Sequence, residues 1–148
     1  MHAISEIYSA YLAGLVDADG TVTLCRKHKN KNRIAVVSIS NTDRDLLEFV
    51  KAVIGGGIIT SKRTTSPKHT PSFTYAIYNR QALSVLTALT PHLRTYKKQR
   101  AEFILQDYVR VTPRNGKYPV ELAEQRWSFE KQVLNLKPGS HNAGRSSN

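Results

Sequence analysis

The sequence is poor in cysteine, in acidic residues and in long apolar segments, and each shortage narrows the class of protein. One cysteine, Cys25, in 148 residues excludes an internal disulfide and a zinc site built from several cysteines. No apolar run approaches the roughly 20 residues that a membrane-spanning helix needs, so we expect no membrane partner. The first residues lack the charged-then-apolar layout of a secretion signal, which predicts an intracellular protein.

The scarce acids are also unevenly placed. The chain has 22 Lys and Arg against 11 Asp and Glu, for a net charge of +11. No acid lies between Asp19 and Asp43 or between Glu48 and Glu102, and these two windows hold five and nine of the basic residues. This segregation indicates a polyanionic partner, most simply nucleic acid. A solvated basic surface and attraction to acidic lipid remain open alternatives.

What is present fits one globular domain, since 40% of the residues are hydrophobic and the length suits a single core. Hydrophobic periodicity and turn residues predict the following elements. The predicted helices cover about 5–16, 41–54, 79–90, 96–111 and 117–136, and the predicted strands cover 21–27, 33–40, 58–64 and 73–78. The order αββαββα, with short turns between paired strands, predicts an α+β fold whose four-stranded antiparallel, saddle-like sheet is covered by helices on one face. We expect the domain to span 1–136, with its core at about 3–111, and the tail 137–148 to be disordered.

Four local predictions accompany this scheme. Ser5 and Asn79 are expected to cap helices, and the glycines at 55–57 to end the second helix. On the last predicted strand, the side chains at 73, 75 and 77 should share the core face. The final helix places four apolar residues along its length. These residues are Val120, Ala123, Trp127 and Leu134.

The first predicted strand offers a free polar face. Val22 and Leu24 alternate with Thr21, Thr23 and Cys25, so the apolar pair should face the core and the others should face away from it. Basic residues follow in the turn. Short polar and long basic side chains on a curved sheet are one way to read a DNA groove.

The end of the first helix carries an unusual acid pair. Gly14 costs a helix interior about 1 kcal/mol relative to alanine, so we expect another helix to approach it closely. Asp17 and Asp19 lie where the helix dipole disfavours carboxylates. Facing phosphate, they need an intervening cation, and Mg²⁺ takes one or two carboxylates together with phosphate and water. The alternative is that both aspartates only form or cap a turn.

Residues 12–20, LAGLVDADG, resemble the eponymous motif of the LAGLIDADG homing endonucleases and depart from it only at Val16. The order of helices and strands extends the resemblance over about residues 3–111. The resemblance implies a site-specific, divalent-metal-dependent DNA endonuclease that hydrolyses phosphodiester bonds in double-stranded DNA. One motif copy implies a homodimer that cuts a long, pseudo-palindromic site.

The resemblance also implies residue roles. Asp19 and the Gly20 backbone would bind Mg²⁺, or Mn²⁺ in its place, and Asp17 is a second choice that more often serves in helix capping and the dimer interface. Asn41, or the adjacent Ser40, would position water, and Lys97, or Lys98, would face the scissile phosphate. The expected dimer interface comprises Ala10, Leu12, Ala13, Gly14, Val16 and Asp17. The expected DNA-binding residues are Thr21, Thr23, Cys25, Arg26, Lys27, Lys29, Lys31, Arg33, Ser38, Ser40, Arg44, Lys62, Lys68 and Lys98.

Other functions remain as alternatives. An RNA-binding intron maturase on the same fold and a non-cleaving DNA-binding protein are both compatible with the basic surface. The sequence does not favour a nucleotide hydrolase, because the glycines at 55–57 lack the following Lys and Ser/Thr of a phosphate loop. We expect no small-molecule substrate. We expect a free-standing, intron-encoded enzyme rather than an intein.

Overall fold

The computed structural model describes residues 1–62 and 66–139. Its elements follow the predicted order. They are α1 (Glu6–Asp19), β1 (Gly20–Cys25), β2 (Ile34–Asn41), α2 (Arg44–Ile54), β3 (Ile58–Ser61), β4 (Phe73–Tyr78), α3 (Asn79–Leu89), α4 (Tyr96–Asp107) and α5 (Val120–Asn135), with a 3₁₀ turn at Thr90–His92. The predicted α+β class and the αββαββα order with a further C-terminal helix are confirmed.

The four strands form one antiparallel sheet in the order β1-β2-β4-β3. Side chains alternate between the two faces of a strand, and those on the core face, which point toward the helices, are apolar. Val22 and Leu24 on β1 are buried there, as are Tyr75 and Ile77 on β4, and both face predictions are confirmed. Phe73, on the same face, is half-buried and packs against the core. The opposite face is the outward face of the sheet.

All five helices contribute to the other half of the core. On α1 the buried side chains include Leu12, Ala13 and Val16. Ser5 caps α1 by accepting the backbone N–H of Tyr8, as predicted, but the helix runs on to Asp19 rather than ending near residue 16. α2 ends at Gly55, whose φ of 78° lies in the left-handed region that glycine adopts without strain.

One sequence prediction about the helices is wrong. Asn79 does not cap α3; it is the first residue of that helix, with φ 58°, and its Oδ1 accepts a hydrogen bond from the Tyr108 hydroxyl at 2.6 Å. α5 contains the four apolar residues expected along it, but Val120 and Trp127 are 75% and 57% exposed. The helix instead buries two charged residues that neutralise each other. The buried residues of α5 are Arg126, Phe129, Glu130 and Val133.

Several boundaries also differ. β3 ends at Ser61 and α4 at Asp107, each short of its predicted end. The predicted end of β3 at residue 64 and most of the tail predicted to be disordered, 140–148, lie outside the described residues. Within 1–62 and 66–139, no helix has the length and apolar character needed to cross a membrane.

Candidate nucleic-acid and metal site

The junction of α1 and β1 fixes the position of the motif's second acid. Gly20 follows α1 directly and donates its backbone N–H to the carbonyl of Val16. A Cβ at residue 20 would lie 2.7 Å from the Cα of Val16 and 2.9 Å from the carbonyl oxygen of Ser38, closer than side chains approach backbone. Only glycine fits between helix and strand here, and this close approach holds Asp19 at the edge of the sheet.

The two motif acids have different surroundings. The Asp17 carboxylate accepts three hydrogen bonds, from the backbone N–H of Arg94 at 2.9 Å and from the N–H and hydroxyl of Thr95 at 3.1 and 2.7 Å. Thr95 is the N-cap of α4, so Asp17 ties α1 to α4. Asp19 is exposed, and within the described part of the chain it has no hydrogen bond or ion pair. The carboxylate with free oxygens is therefore that of Asp19.

Lys97 lies at the same junction. Its Nζ donates to the carbonyl oxygens of Val16 and Asp17, both at 2.9 Å, and so neutralises the negative end of α1. Burial lowers the pKa of the Lys97 ammonium, and the neighbouring carboxylates of Asp17 and Asp19 partly offset this shift. Lys98 is half-buried and makes no such contact with α1. Of the two lysines proposed from the sequence, Lys97 is the one brought beside Asp19.

The end of β2 reaches the same edge of the sheet. Ile39 pairs with Gly20, so Ser40 and Asn41 extend past that pair toward the end of α1. Asn41 lies on the core side, where its Oδ1 accepts the backbone N–H of Asp43 at 2.8 Å. Ser40 lies on the outward face and shares a 2.9 Å hydrogen bond with Thr74. Both water-positioning alternatives are thus near Asp19, on opposite faces of the strand.

The outward face groups most of the polar residues that the sequence assigned to DNA. Strand register places Thr21 opposite Ser38, and it puts Thr23 and Cys25 on the same face. The turn between β1 and β2 extends this face with exposed bases. They are Arg26, Lys27, Lys29 and Lys31.

The remaining predicted bases have distinct environments. Arg33 is half-buried and its guanidinium lies 3.6 Å from Glu130. Arg44, at the start of α2, pairs with Glu48 at 3.3 Å and lies over the ring of Phe73. Two further lysines are exposed beside the β3–β4 connection. They are Lys62 and Lys68.

Sequence reasoning missed four residues of this surface. Thr74 and Tyr78 on β4 and Thr60 on β3 share the outward face, and the Lys27 ammonium lies 3.8 Å from the Tyr78 ring centroid. Arg100 reaches β1 from α4 and donates to Thr23 Oγ1 at 3.0 Å. The strand residues could have been found, because the alternation that assigned the core face of β4 also assigns its opposite face.

Five of the six residues predicted for a dimer interface fall into two sets by exposure, and the sixth, Asp17, is half-buried and bonds to Thr95. Leu12, Ala13 and Val16 are at most 1% exposed and pack in the core of their own chain. Ala10 and Gly14 are exposed on the other side of α1. A Cβ on Gly14 would meet nothing within 4 Å in the described part of the chain, so no contact there requires glycine at this position.

Fold and site together define a class of protein. An antiparallel sheet with a basic, hydroxyl-bearing face is joined at one edge to a helix that ends in an exposed carboxylate. A family model described as a LAGLIDADG-like domain matches residues 6–104. The chain therefore belongs to the LAGLIDADG family, which confirms the resemblance seen in the motif.

Solved structures share this fold. The homing endonuclease I-CvuI in complex with its target matches with a TM-score of 0.73 and 18% identity, over 89% of this chain and 83% of that chain. The archaeal intron-encoded homing endonuclease I-Vdi141I complexed with DNA matches with a TM-score of 0.61 and 13% identity, over 89% and 85%. The LAGLIDADG homing endonuclease I-GzeII in complex with a DNA target matches with a TM-score of 0.65 and 16% identity, over 98% and 49%. No curated protein sequence matches the chain.

Proposed function

We propose that this chain is a site-specific, divalent-metal-dependent DNA endonuclease that cuts both strands of a long, pseudo-palindromic duplex as a homodimer. The observation that carries the proposal is the family motif ending in the exposed Asp19 carboxylate, next to Lys97, at the edge of a basic sheet face. Structural relatives support it, since I-CvuI was solved with its DNA target in the presence of calcium.

Each residue at the junction has a role in this proposal. Asp19 and the Gly20 backbone would hold Mg²⁺ or Mn²⁺, which when bound lowers the pKa of a water and stabilises the leaving 3′ oxygen. Lys97, whose Nζ is held by two carbonyls at the end of α1, would face the scissile phosphate. Asn41 or Ser40 would orient the attacking water.

The donor set fits a metal that is only partly held by one chain. Among the described residues, no three His, Cys, Asp or Glu side chains lie together so that they could hold a metal. Mg²⁺ does not need such a group, because it keeps several waters and binds one or two carboxylates together with substrate phosphate. Asp19 supplies one carboxylate, and the DNA and a second copy would supply the rest.

Replacing one carboxylate oxygen tests the catalytic assignment. Asp19→Asn should bind duplex DNA with unchanged affinity but should not cleave it, because the amide cannot replace the anionic ligand. Excess chelator should likewise stop cleavage by the wild type. Asp45→Asn, on the exposed first turn of α2, is the matched control and should cleave normally. Equal cleavage by wild type and Asp19→Asn contradicts the assignment, and binding without any cleavage by wild type favours a DNA-binding protein.

The homodimer part of the proposal rests on the exposed side of α1. Gly14 destabilises the helix and has open space around it, which leaves room for the backbone of a second α1 to approach closely. Apolar side chains continue that surface onto α2, where Tyr8 and Tyr11 meet Phe49 edge-on at 5.6 and 5.9 Å between ring centroids. Ile7, on the same side, is 80% exposed. An isologous contact of two such helices would bring two Asp19 residues to one DNA site.

Sedimentation tests the dimer directly. Gly14→Leu should yield monomers, because the added side chain fills the space that the second helix needs. Ala123→Leu, an equally apolar change at an exposed position of α5, should leave the dimer intact. A dimer that persists in Gly14→Leu would place the interface elsewhere.

A further inference from the structure

The C-terminal helix α5 is attached to the turn-proximal end of the β1–β2 hairpin through one residue. Both backbone polar groups of Arg33, the residue before β2, are bonded to α5: its N–H donates to Glu130 Oε1 at 3.1 Å, and its carbonyl accepts from Arg126 Nη2. Arg126 and Glu130 are 1% and 2% exposed and pair with each other at 3.4 Å. A buried ion pair on one element therefore fixes the point where β2 leaves the basic turn.

The same cluster is anchored on its far side. Arg126 Nη1 donates to the carbonyl of Val111 and to the hydroxyl of Thr112 in the connection between α4 and α5. Its guanidinium also lies over the ring of Tyr108, 4.9 Å from the centroid. The Tyr108 hydroxyl in turn accepts the N–H of Ala35, the second residue of β2. Arg126 is thus held by the helical layer and cannot simply move with the hairpin.

A second attachment joins the other strand to the end of α5. Arg100 Nη1 donates to the carbonyl of Val22 at 3.2 Å and to Thr23 Oγ1 at 3.0 Å. Its Nε and Nη2 donate to the carbonyls of Leu136 and Leu134, at the end of α5. Both strands of the hairpin are therefore linked to α5, β2 near the middle of the helix and β1 at its C-terminal end.

Stability alone does not explain a buried ion pair in this place. Well-packed apolar residues usually stabilise a core as well as or better than a buried ion pair does. Unlike apolar packing, the ion pair forms directional hydrogen bonds, which fix the positions of the backbone N–H and carbonyl of Arg33. Within residues 1–62 and 66–139, β1 is an edge strand that pairs with β2 alone, and the turn beyond it carries the exposed bases. Reading base edges requires side chains held to within a fraction of an ångström.

From these contacts we propose that Arg126, Glu130 and Arg100 are positioning residues that make α5 set the DNA specificity of the β1–β2 hairpin. The proposal rests on the proposed function above, because it assumes that the outward face of the sheet reads DNA. In this proposal the residues of α5 and Arg100 act through the backbone of Arg33 and of β1. α5 lies beyond residues 6–104, the range of the family match.

The test compares base preferences of the two halves of the sheet. Selection from a randomised duplex library gives the wild-type preference at each position. Thr21→Ala then marks the positions read from β1, and Thr60→Ala marks those read from β3; both side chains are exposed on the outward face. The double variant Arg126→Met/Glu130→Leu fills the buried site with apolar side chains of similar size. It removes the hydrogen bonds of both residues to the backbone of Arg33.

Wild type should reject a wrong base by about 10- to 100-fold. In the double variant, discrimination against a wrong base should be about fivefold weaker at the β1 positions and unchanged at the β3 positions. The rate at which it cleaves bound DNA should stay within about twofold of the wild-type rate. A merely structural role would change both sets of positions together. A folded double variant with wild-type preferences at the β1 positions overturns the proposal.

A second variant covers the case in which the double variant does not fold. Arg100→Met breaks the attachment to β1 without disturbing the Arg126–Glu130 pair and should give the same one-sided loss, with thermal unfolding as the check on folding. An unchanged preference in folded Arg100→Met likewise counts against the proposal. If wild type selects no sequence at all, the proposed function fails instead, which separates the two outcomes.

Discussion

The first hairpin, formed by β1, the turn 26–33 and β2, and the second hairpin, formed by β3, the turn 62–72 and β4, share one outward face but are supported differently. The first is bonded through both strands to α4 and α5. In the described part of the second turn, the hydrogen bonds stay within the turn, joining Lys62 to Ser72 and both Lys68 and His69 to Ser66. The second hairpin is instead tied to the core through Tyr75, whose hydroxyl donates to the carbonyl of Gly56 at 2.8 Å.

This difference separates two ways of holding a recognition surface. The second hairpin depends on ordinary core packing, on the pairing of β4 with β2, and on neutral hydrogen bonds of Tyr75 and Thr74. The first also depends on charged side chains, such as those of Arg100 and Arg126, that lie 77 residues or more along the chain from the hairpin residues they bond. The geometry of the first hairpin is therefore linked to the C-terminal helix, whereas the second hairpin is linked to β2 and to the turn after α2.

The largest expected effect comes from removing the centre of the first hairpin's support. Arg126→Ala leaves the Glu130 carboxylate buried without its partner and deprives the carbonyls of Arg33 and Val111 of a donor. Removing one member of a buried ion pair costs about 3–5 kcal/mol. Urea denaturation should show a loss of that size in the free energy of unfolding. Lys131→Ala, an exposed change on the same helix, should cost less than about 0.5 kcal/mol, and equal effects would mean that the buried pair is not a support.

The two basic turns should differ next in their contribution to DNA binding. The first turn has three exposed lysines, and the described part of the second turn has two. Replacing Lys27, Lys29 and Lys31 by alanine should lower the slope of log affinity against log salt by about three, one for each lost phosphate contact. The Lys62→Ala/Lys68→Ala double variant should lower it by about two if the second turn also follows the phosphate backbone. If all five substitutions leave the slope unchanged, the outward face of the sheet does not bind DNA.

A smaller effect is expected at the anchor of the second hairpin. Tyr75→Phe keeps the buried ring but removes the hydrogen bond to the Gly56 carbonyl, which costs about 1 kcal/mol. Unfolding of the variant by urea measures this loss. Tyr118→Phe, at a half-buried tyrosine outside both hairpins, is the control. A loss as large as that of Arg126→Ala would mean that the two hairpins are supported with equal strength.

The local patterns of the sequence predicted the fold well because the strands obey simple alternation. Val22 and Leu24 pointed inward as expected, and Gly55 ended α2. The buried face of α5 could not be predicted in the same way, because the rule that apolar residues face the core does not cover two opposite charges that bury each other. Arg126 and Glu130 are four residues apart and look like an ordinary surface pair until the tertiary structure places Arg33 beside them.

The candidate site was predictable for a different reason. The motif is local, so Asp17, Asp19 and Gly20 could be located from nine consecutive residues. The hydrogen bonds of the Asp17 carboxylate could not be predicted, because its partners Arg94 and Thr95 lie 77 and 78 residues away. The bonds of Lys97 to the carbonyls of Val16 and Asp17 could not be predicted either, because they depend on how α4 packs against the end of α1.

The smallest predicted effect uses the single cysteine as a reporter of which hairpin DNA covers. Cys25 ends β1 on the outward face, and burial raises the pKa of its thiol despite the nearby Lys27 ammonium. Less thiolate is then present at pH 8 than in the unfolded chain, so alkylation by iodoacetamide should be a few-fold slower in the folded protein. Bound DNA should slow it a few-fold further, because the duplex would shield the first hairpin.

The matched variant Cys25→Ser/Thr60→Cys carries the thiol on the second hairpin, at an exposed position of the same face. Protection of both thiols would show that DNA lies across the whole sheet, protection of Cys25 alone would confine it to the hairpin that α5 supports, and protection of neither would place the DNA on another surface.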